Sequence, residues 1–202
     1  MEPKECVMID DGEEERTEAG IDPQGWPPYA FIPGGPWPHP MSPEGHAQGE
    51  CAGIVLPIEG DGWPTSVPFL RGVALFNAGY YWEAHEAWEA LWHSHGRRGS
   101  TADVLKALIK LAAAGVKVRQ RQRHGVMTHA ARASVLFETV RAQEGRAWLG
   151  LDLDRLSVFA REVATSLPSD PGAREDRVVR VFDFLIEPAP TGESHQKGPG
   201  PL

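Results

Sequence analysis

The side chains best suited to chemistry lie in a short stretch that contains a histidine followed by two glutamates. His85 and Glu89 are four residues apart, which on an α-helix places them about 40° apart on one face. An imidazole nitrogen and a carboxylate oxygen that converge in this way can bind one divalent metal ion. Glu86 follows the histidine as the general base does in HExxH metalloproteases. The spacing predicts a metal site on this helix, with Glu86 as a candidate base.

The predicted metal site needs at least one further ligand, because the string is HExxE and not HExxH. His39 and His46 are candidates, and Pro38 and Pro40 restrict the backbone around His39 to extended conformations. If this segment crosses the helix, either histidine could complete the site; otherwise both are turn residues in a proline-rich wrap. Such a mixed site suits zinc, manganese, iron or nickel about equally, so the identity of the metal is not predicted.

A non-catalytic interpretation accounts for the same residues. His85 and Glu89 can hydrogen-bond each other beside a core of tryptophans, since buried polar side chains are normally paired. Glu83 and Glu86 are then solvent-facing acids. In that case the protein is a helical module whose tryptophan-rich face or N-terminal segment contacts a partner or a second copy of the chain.

Four more residues are candidates for supporting or substrate-contacting roles. Tyr81 and Trp92 flank the motif in the sequence. Lys110 and Lys117 share one face of the next predicted helix and flank its alanine-rich run. One of these lysines could hold an anionic substrate or pair with Glu86. The alternative is a solvated rim, as is usual for long charged side chains.

The elements that position these residues are helices, and proline limits where they form. Twelve of the 18 prolines lie in residues 1–68, none lies in 69–167 and six follow, so long helices are confined to the middle. Apolar spacings of three and four predict five helices. They cover about 69–95, residue 100 or 101 to about 125, 126–143, residue 152 or 154 to the proline at 168, and 171–186. The predicted fold class is all-α, a small bundle of four to five helices with an irregular proline-rich N-terminal arm.

Composition divides the chain into four regions. Residues 1–20 are rich in acids and predict a disordered tail. Residues 21–68 combine prolines and glycines with aromatic residues, which predicts an arm packed on the helical domain of residues 69–187. Residues 188–202 are a second predicted disordered tail. Residues 1–68 hold 13 acids and 2 bases (net −11), whereas the remainder holds 15 acids and 18 bases (net +3), so the overall charge of −8 comes from the N-terminal regions.

Several classes of function are excluded by composition. No segment reaches the roughly 20 apolar residues of a membrane span, and the first residues do not resemble a secretory signal, so a cytoplasmic location is expected. Cys6 and Cys51 form no CxxC pair, which argues against a thiolate zinc site. No glycine-rich phosphate loop is present, so no nucleotide cofactor is expected. Scattered arginines argue against nucleic-acid binding. A small-molecule substrate and a homo-oligomer remain compatible with the sequence.

The string LFNAGYY at residues 75–81, followed by His85, Glu89 and Trp92, resembles the bacterial and archaeal family known as domain of unknown function 309. That family is marked by an HxxxExxW motif, which these three residues match. Weaker matches follow in the alanine-rich run and beyond, and the resemblance covers about residues 68–160. It implies a small all-helical fold with a metal-binding motif, and members are often labelled predicted metal-dependent hydrolases. Applied to this chain, it implies His85 and Glu89 as ligands, and the arm lies outside the family core.

Overall fold

The computed structural model describes residues 25–48, 54–166 and 177–189 of the chain. Within these residues it contains five α-helices and one two-stranded antiparallel hairpin, so the all-α fold class is confirmed. The helices are α1 (Val67–Ala78), α2 (Tyr81–Ser94), α3 (Ser100–Arg119), α4 (Arg123–Glu144) and α5 (Leu153–Thr165). The hairpin strands, β1 (Ala147–Trp148) and β2 (Leu151–Asp152), connect α4 to α5. In the part of the chain described, no helix has the length and apolar character needed to cross a membrane.

The core forms around α3, which packs against α2 on one side and α4 on the other, while α1 packs on α2 and α5 on α4. Trp88, Leu108 and Phe137 are completely buried at these contacts. The small residues of α3 let α2 approach closely: a Cβ at Gly115 would lie 2.6 Å from the ring of Tyr81. The glycine is therefore needed for this packing.

The prediction of one helix over residues 69–95 is wrong, because the chain breaks at Gly79 into α1 and α2. Gly79 has φ of +96° and forms a left-handed C-cap, with its N–H donating to Phe76 O. A Cβ at this position would lie only 2.7 Å from Val179 O. The apolar spacing continues across the break, so periodicity gives no sign of it.

The sequence also predicts a helix over residues 171–186, of which 177–186 are described. The prediction is wrong for these residues, because residues 177–189 have no helical structure. We call these residues the C-terminal strap. The strap crosses the α1–α2 junction, where Asn77 Nδ2 donates to Ile186 O (2.8 Å) and Asn77 Oδ1 accepts from Ile186 N (2.9 Å). Side chains of the bundle thus satisfy backbone groups that a helix would pair internally.

The other helices lie close to their predicted positions. Helix α3 begins at Ser100 as expected but ends at Arg119, six residues before the predicted end. After a short turn, α4 begins at Arg123. Asp152 caps α5 by accepting a hydrogen bond from Arg155 N, as the sequence predicts. The predicted tail at residues 1–20 falls outside the described residues, as does the tail at 188–202 apart from residues 188 and 189.

The predicted N-terminal arm, residues 21–68, is described over 25–48 and 54–68, and its first described segment packs on α2 and on the end of α3. The N–H of Phe31 donates to Glu83 Oε1 (2.8 Å), and Gln120 Nε2 donates to Pro33 O (2.7 Å). The apolar arm residues buried by this packing are Tyr29, Phe31 and Ile32. The arm is thus fixed to two helices.

Candidate functional site

Three side chains on α2 form a group that could hold a metal ion. His85, Glu86 and Glu89 each offer one ligand atom, and these atoms all lie within 4.8 Å of one another. Among the described residues, no other set of three or more His, Cys, Asp or Glu side chains meets this condition. The convergence expected of His85 and Glu89 is present, and Glu86, whose predicted role is a base, is placed as a third ligand candidate. We call these three residues the α2 triad.

The α2 triad is half-exposed and bonded mainly to its own helix. The side chains of His85, Glu86 and Glu89 are 23%, 51% and 39% exposed. His85 Nδ1 lies 3.2 Å from Glu86 Oε1, and Glu89 Oε1 lies 4.0 Å from His93 Nε2. The expected direct pairing of His85 with Glu89 is thus replaced by two contacts with other neighbours on α2.

Helices α3 and α4 present positive charge to the α2 triad. Burial lowers the pKa of Lys110, the charges of Arg132 and Lys106 lower it further, and Glu89 opposes them. Burial also lowers the pKa of His129, with further lowering by Lys110 and other positive groups. Lys110, which is a predicted substrate-binding residue, therefore lies within the electrostatic reach of Glu89.

The other predicted supporting residues have different surroundings. Trp92 packs beneath Arg97, whose guanidinium carbon lies 5.2 Å from the ring centroid. Tyr81 is buried in the core, where its hydroxyl is bonded to the C-terminal strap. Lys117 Nζ donates to Gln120 Oε1 (2.8 Å). Tyr81 and Lys117 therefore have structural contacts of their own.

The two arm histidines contact α2 beside the α2 triad and do not belong to it. His46 Nε2 lies 3.6 Å from Glu83 Oε1. The ring of His39 lies 5.0 Å from the ring of Phe31 and 5.7 Å from that of Trp82. The arm crosses α2, as the hypothesis of a third ligand from the arm requires. It places His46 next to Glu83, however, and not within the α2 triad.

Glu83 is a buried carboxyl, so its interpretation as a solvent-facing acid is wrong. It is only 8% exposed. Its Oε1 accepts the hydrogen bond from Phe31 N, whereas its Oε2 is buried with no hydrogen-bond partner among the described residues. Burial raises the pKa of Glu83 to about 7, the Phe31 hydrogen bond opposes this rise, and the charge of Glu86 adds to it. The spacing on α2 gives no sign of this burial, because the arm supplies it.

A cavity of about 510 Å³ lies between the arm and helices α1 and α2. We call it the arm cavity. Glu83 and Glu86 both line it, together with Arg71, Trp82 and His46. Since Glu86 also belongs to the α2 triad, the arm cavity and the triad adjoin each other.

The fold and the site define a small all-helical protein with a histidine and carboxylate group on its second helix. A family model described as "Domain of unknown function (DUF309)" matches residues 69–129. The chain therefore resembles this family over most of α1, all of α2 and α3 and the start of α4, which includes the whole α2 triad. The match is shorter than the expected 68–160, and the arm lies outside it. No curated protein matches the chain.

Proposed function

We propose that the protein binds a divalent transition metal through His85, Glu86 and Glu89 and uses it to hydrolyse a small substrate. The observation that supports this proposal is the distance of at most 4.8 Å between the three ligand atoms. One imidazole nitrogen and two carboxylate oxygens suit manganese, iron, nickel or zinc. Because all three side chains come from one helix, no other element needs to move to assemble the site.

The surroundings of the α2 triad suit a catalytic role better than a structural one. A divalent ion at such a site supplies Lewis-acid activation of water. Structural metal sites are closed by four protein ligands, whereas catalytic sites keep a position open. Three ligands on a half-exposed helix face leave positions open to solvent. Lys110, which interacts electrostatically with Glu89, would attract an anionic group of the substrate.

Metal binding is tested by measuring the metal content of protein purified without chelator, and by calorimetric titration with Mn²⁺, Zn²⁺ and Ni²⁺. We expect about one equivalent per chain. His85→Ala should abolish binding and leave the circular dichroism spectrum unchanged. His124→Ala is the matched control, because His124 is an exposed histidine at the start of α4, and it should bind as the wild type does. Metal-free protein that binds none of the three ions would refute the proposal.

Glu86 has two candidate roles, third ligand or general base. Its contact of 3.2 Å with His85 Nδ1 favours the ligand role, because the carboxylate stands directly beside the imidazole. Glu86→Gln separates the two roles: weaker metal binding indicates a ligand, whereas unchanged binding with slower hydrolysis indicates a base.

Hydrolysis is tested with p-nitrophenyl esters of carboxylic and phosphoric acids, using metal-loaded protein and following release of p-nitrophenol. We expect a metal-dependent rate that His85→Ala loses. If metal-loaded protein cleaves none of these esters, the metal site stands and the hydrolase proposal for these bond types falls.

The second candidate function is a non-catalytic helical module, with contacts to a partner or a second copy of the chain. The hydrogen bond of 3.2 Å between His85 and Glu86 favours it, because it satisfies both groups without any metal. In this case the protein binds no metal, and substitutions in the α2 triad change only the thermal stability.

A further inference from the structure

The arm cavity has the size of a small-molecule site. Its volume of about 510 Å³ falls within the range of roughly 300–1,000 Å³ that is typical of ligand pockets. One wall is the N-terminal arm, with Trp26 and Pro40, and the other is formed by α1 and α2, with Leu75 and Trp82. Flat aromatic and aliphatic surfaces therefore face each other across it.

Glu83 lines the arm cavity and carries a buried carboxylate oxygen without a hydrogen-bond partner among the described residues. Its side chain is 7% exposed, its Oε1 is used by the arm, and its Oε2 has no hydrogen-bond partner in the described parts of the chain. A buried polar atom without a partner costs free energy, so a ligand that supplies a donor would bind favourably. Because a carboxylate only accepts hydrogen bonds, that ligand must present N–H or O–H groups.

The charges around the cavity favour a cationic donor over a neutral one. Among the described residues that line it, Glu83 and Glu86 are the acids and Arg71 is the permanently charged base. The Arg71 guanidinium already donates to Gly25 O and lies 5.7 Å from the ring of Trp26. A positively charged donor also gains Coulomb attraction to the buried carboxylate, which a neutral donor does not. Aromatic walls also attract a cation.

We propose that the arm cavity binds a small molecule with an ammonium or amidinium group on a flat apolar body, and that Glu83 receives the charged group. Glu83 acts here as a ligand-binding residue, and the arm completes the site by covering it. Glu83 is outside the α2 triad, but Glu86 belongs to both sites, so the proposal is tested on metal-free protein.

Benzamidine is the probe that tests this proposal, because benzamide is its neutral isostere and benzoate its anionic counterpart. Binding to the full chain at about pH 8 in the presence of EDTA is followed by calorimetry and by tryptophan fluorescence, because the Glu83 carboxyl must be ionised to receive the cation. We expect saturable binding of benzamidine with Kd below about 10 mM, and binding of benzamide and benzoate at least about tenfold weaker. Equal binding of benzamidine and benzamide, or no saturable binding of benzamidine, would overturn the proposal.

Glu83→Gln is the decisive variant, since its amide oxygen can still accept from Phe31 N while the negative charge is lost. Benzamidine should bind it at least about tenfold more weakly than the wild type. Glu44→Gln, an exposed position on the arm, is the matched control and should bind normally. Unchanged binding to Glu83→Gln would refute the role of Glu83.

Two further variants keep the test informative. Ala47→Phe places a ring in the cavity from the arm side and should abolish benzamidine binding even if Glu83→Gln does not fold; normal binding to it would refute the location. His85→Ala should bind benzamidine as the wild type does. If this variant loses metal binding and still binds benzamidine, the two proposals are distinguished from each other. If it loses both, the two sites are not independent.

Discussion

Residues 77–81 and residues 85–89 are adjacent stretches of chain whose polar side chains have opposite kinds of partner. Asn77 and Tyr81 bond to backbone groups 109 and 100 residues away, on the C-terminal strap. His85 and Glu89 contact residues one and four positions away on the same helix. Asn77 and Tyr81 are thus tied to a distant part of the fold, whereas the side chains of His85 and Glu89 are partly exposed. Trp88, which lies between them, is buried and belongs to the core.

This difference separates structural residues from candidate chemical residues within one motif. A polar side chain with a distant backbone partner holds two parts of the chain together, and its loss leaves a buried group unpaired. An exposed local pair contributes little to stability, so its residues can be arranged for ligand binding. The LFNAGYY string therefore contains residues with structural contacts, whereas the candidate chemical residues lie in the HxxxExxW motif that follows it.

The largest effect is expected at the junction, from Gly79→Ala. The left-handed backbone and the contact of a Cβ with Val179 O should together destabilise the fold by about 3 kcal/mol. The urea midpoint of unfolding measures this loss. Gly96→Ala is the control, because Gly96 is also left-handed (φ +63°) but a Cβ there would meet no atom of the described residues within 4 Å. It should lose only about 1 kcal/mol. Equal losses would show that the strap does not constrain the junction.

Glu83→Gln should remove a pH dependence of stability. Burial raises the pKa of Glu83 from 4.5 to about 7, so the folded state binds the proton more tightly than the unfolded state. Its contribution is fully present below the unfolded pKa and is lost as the pH rises through the folded pKa. Relative to Glu83→Gln, the wild type should lose on the order of 3 kcal/mol between about pH 4 and pH 8. Urea unfolding in EDTA at both pH values tests this, and parallel pH profiles would contradict it.

Tyr81→Phe should destabilise the fold by about 1–2 kcal/mol, because it leaves the buried N–H of Val181 without an acceptor. Burial raises the pKa of Tyr81 to about 12, so the hydroxyl stays neutral and the loss should not vary with pH near neutrality. Thermal unfolding measures it. Tyr80→Phe, which keeps the stacking of that ring on Trp26, is the control and should change stability by less than about 0.5 kcal/mol.

The smallest effect is expected in the α2 triad. Without metal, His85→Ala should change stability by no more than about 0.5 kcal/mol, since its contact with Glu86 is half-exposed. With Mn²⁺ at about 100 times its Kd, the wild type should gain about 2.7 kcal/mol and the variant nothing. Melting curves with and without Mn²⁺ test both statements. If His85→Ala loses much stability in the absence of metal, His85 belongs with the structural residues.

The parts of the fold that are encoded locally could be predicted from the sequence. Helix α3 begins at Ser100 because its apolar residues follow helical spacing from there, and Asp152 caps α5 through a neighbour three residues on. His85 and Glu89 converge for the same reason, since the helix alone sets their relation. Each of these features depends on residues within a few turns of one another.

The features that could not be predicted depend on distant segments. The break at Gly79 interrupts an apolar spacing that continues through it, and the C-terminal strap passes against the break. The strap itself has apolar residues at helical spacing, but its backbone bonds to Asn77 and Tyr81. Glu83 looks like an exposed helix acid until the arm covers it. In all three cases tertiary contacts override a local pattern.

The anchors of the N-terminal arm have a consequence for the order of events during synthesis. Phe31 bonds to a residue 52 positions later, and Pro33 to one 87 positions later. The arm therefore leaves the ribosome before either of its docking sites exists, and it must wait for α2 and α3. Helix pairs that are adjacent in sequence can form first, because their loops are short. The arm cavity then forms late, so a nascent chain acquires its helical core before it acquires this cavity.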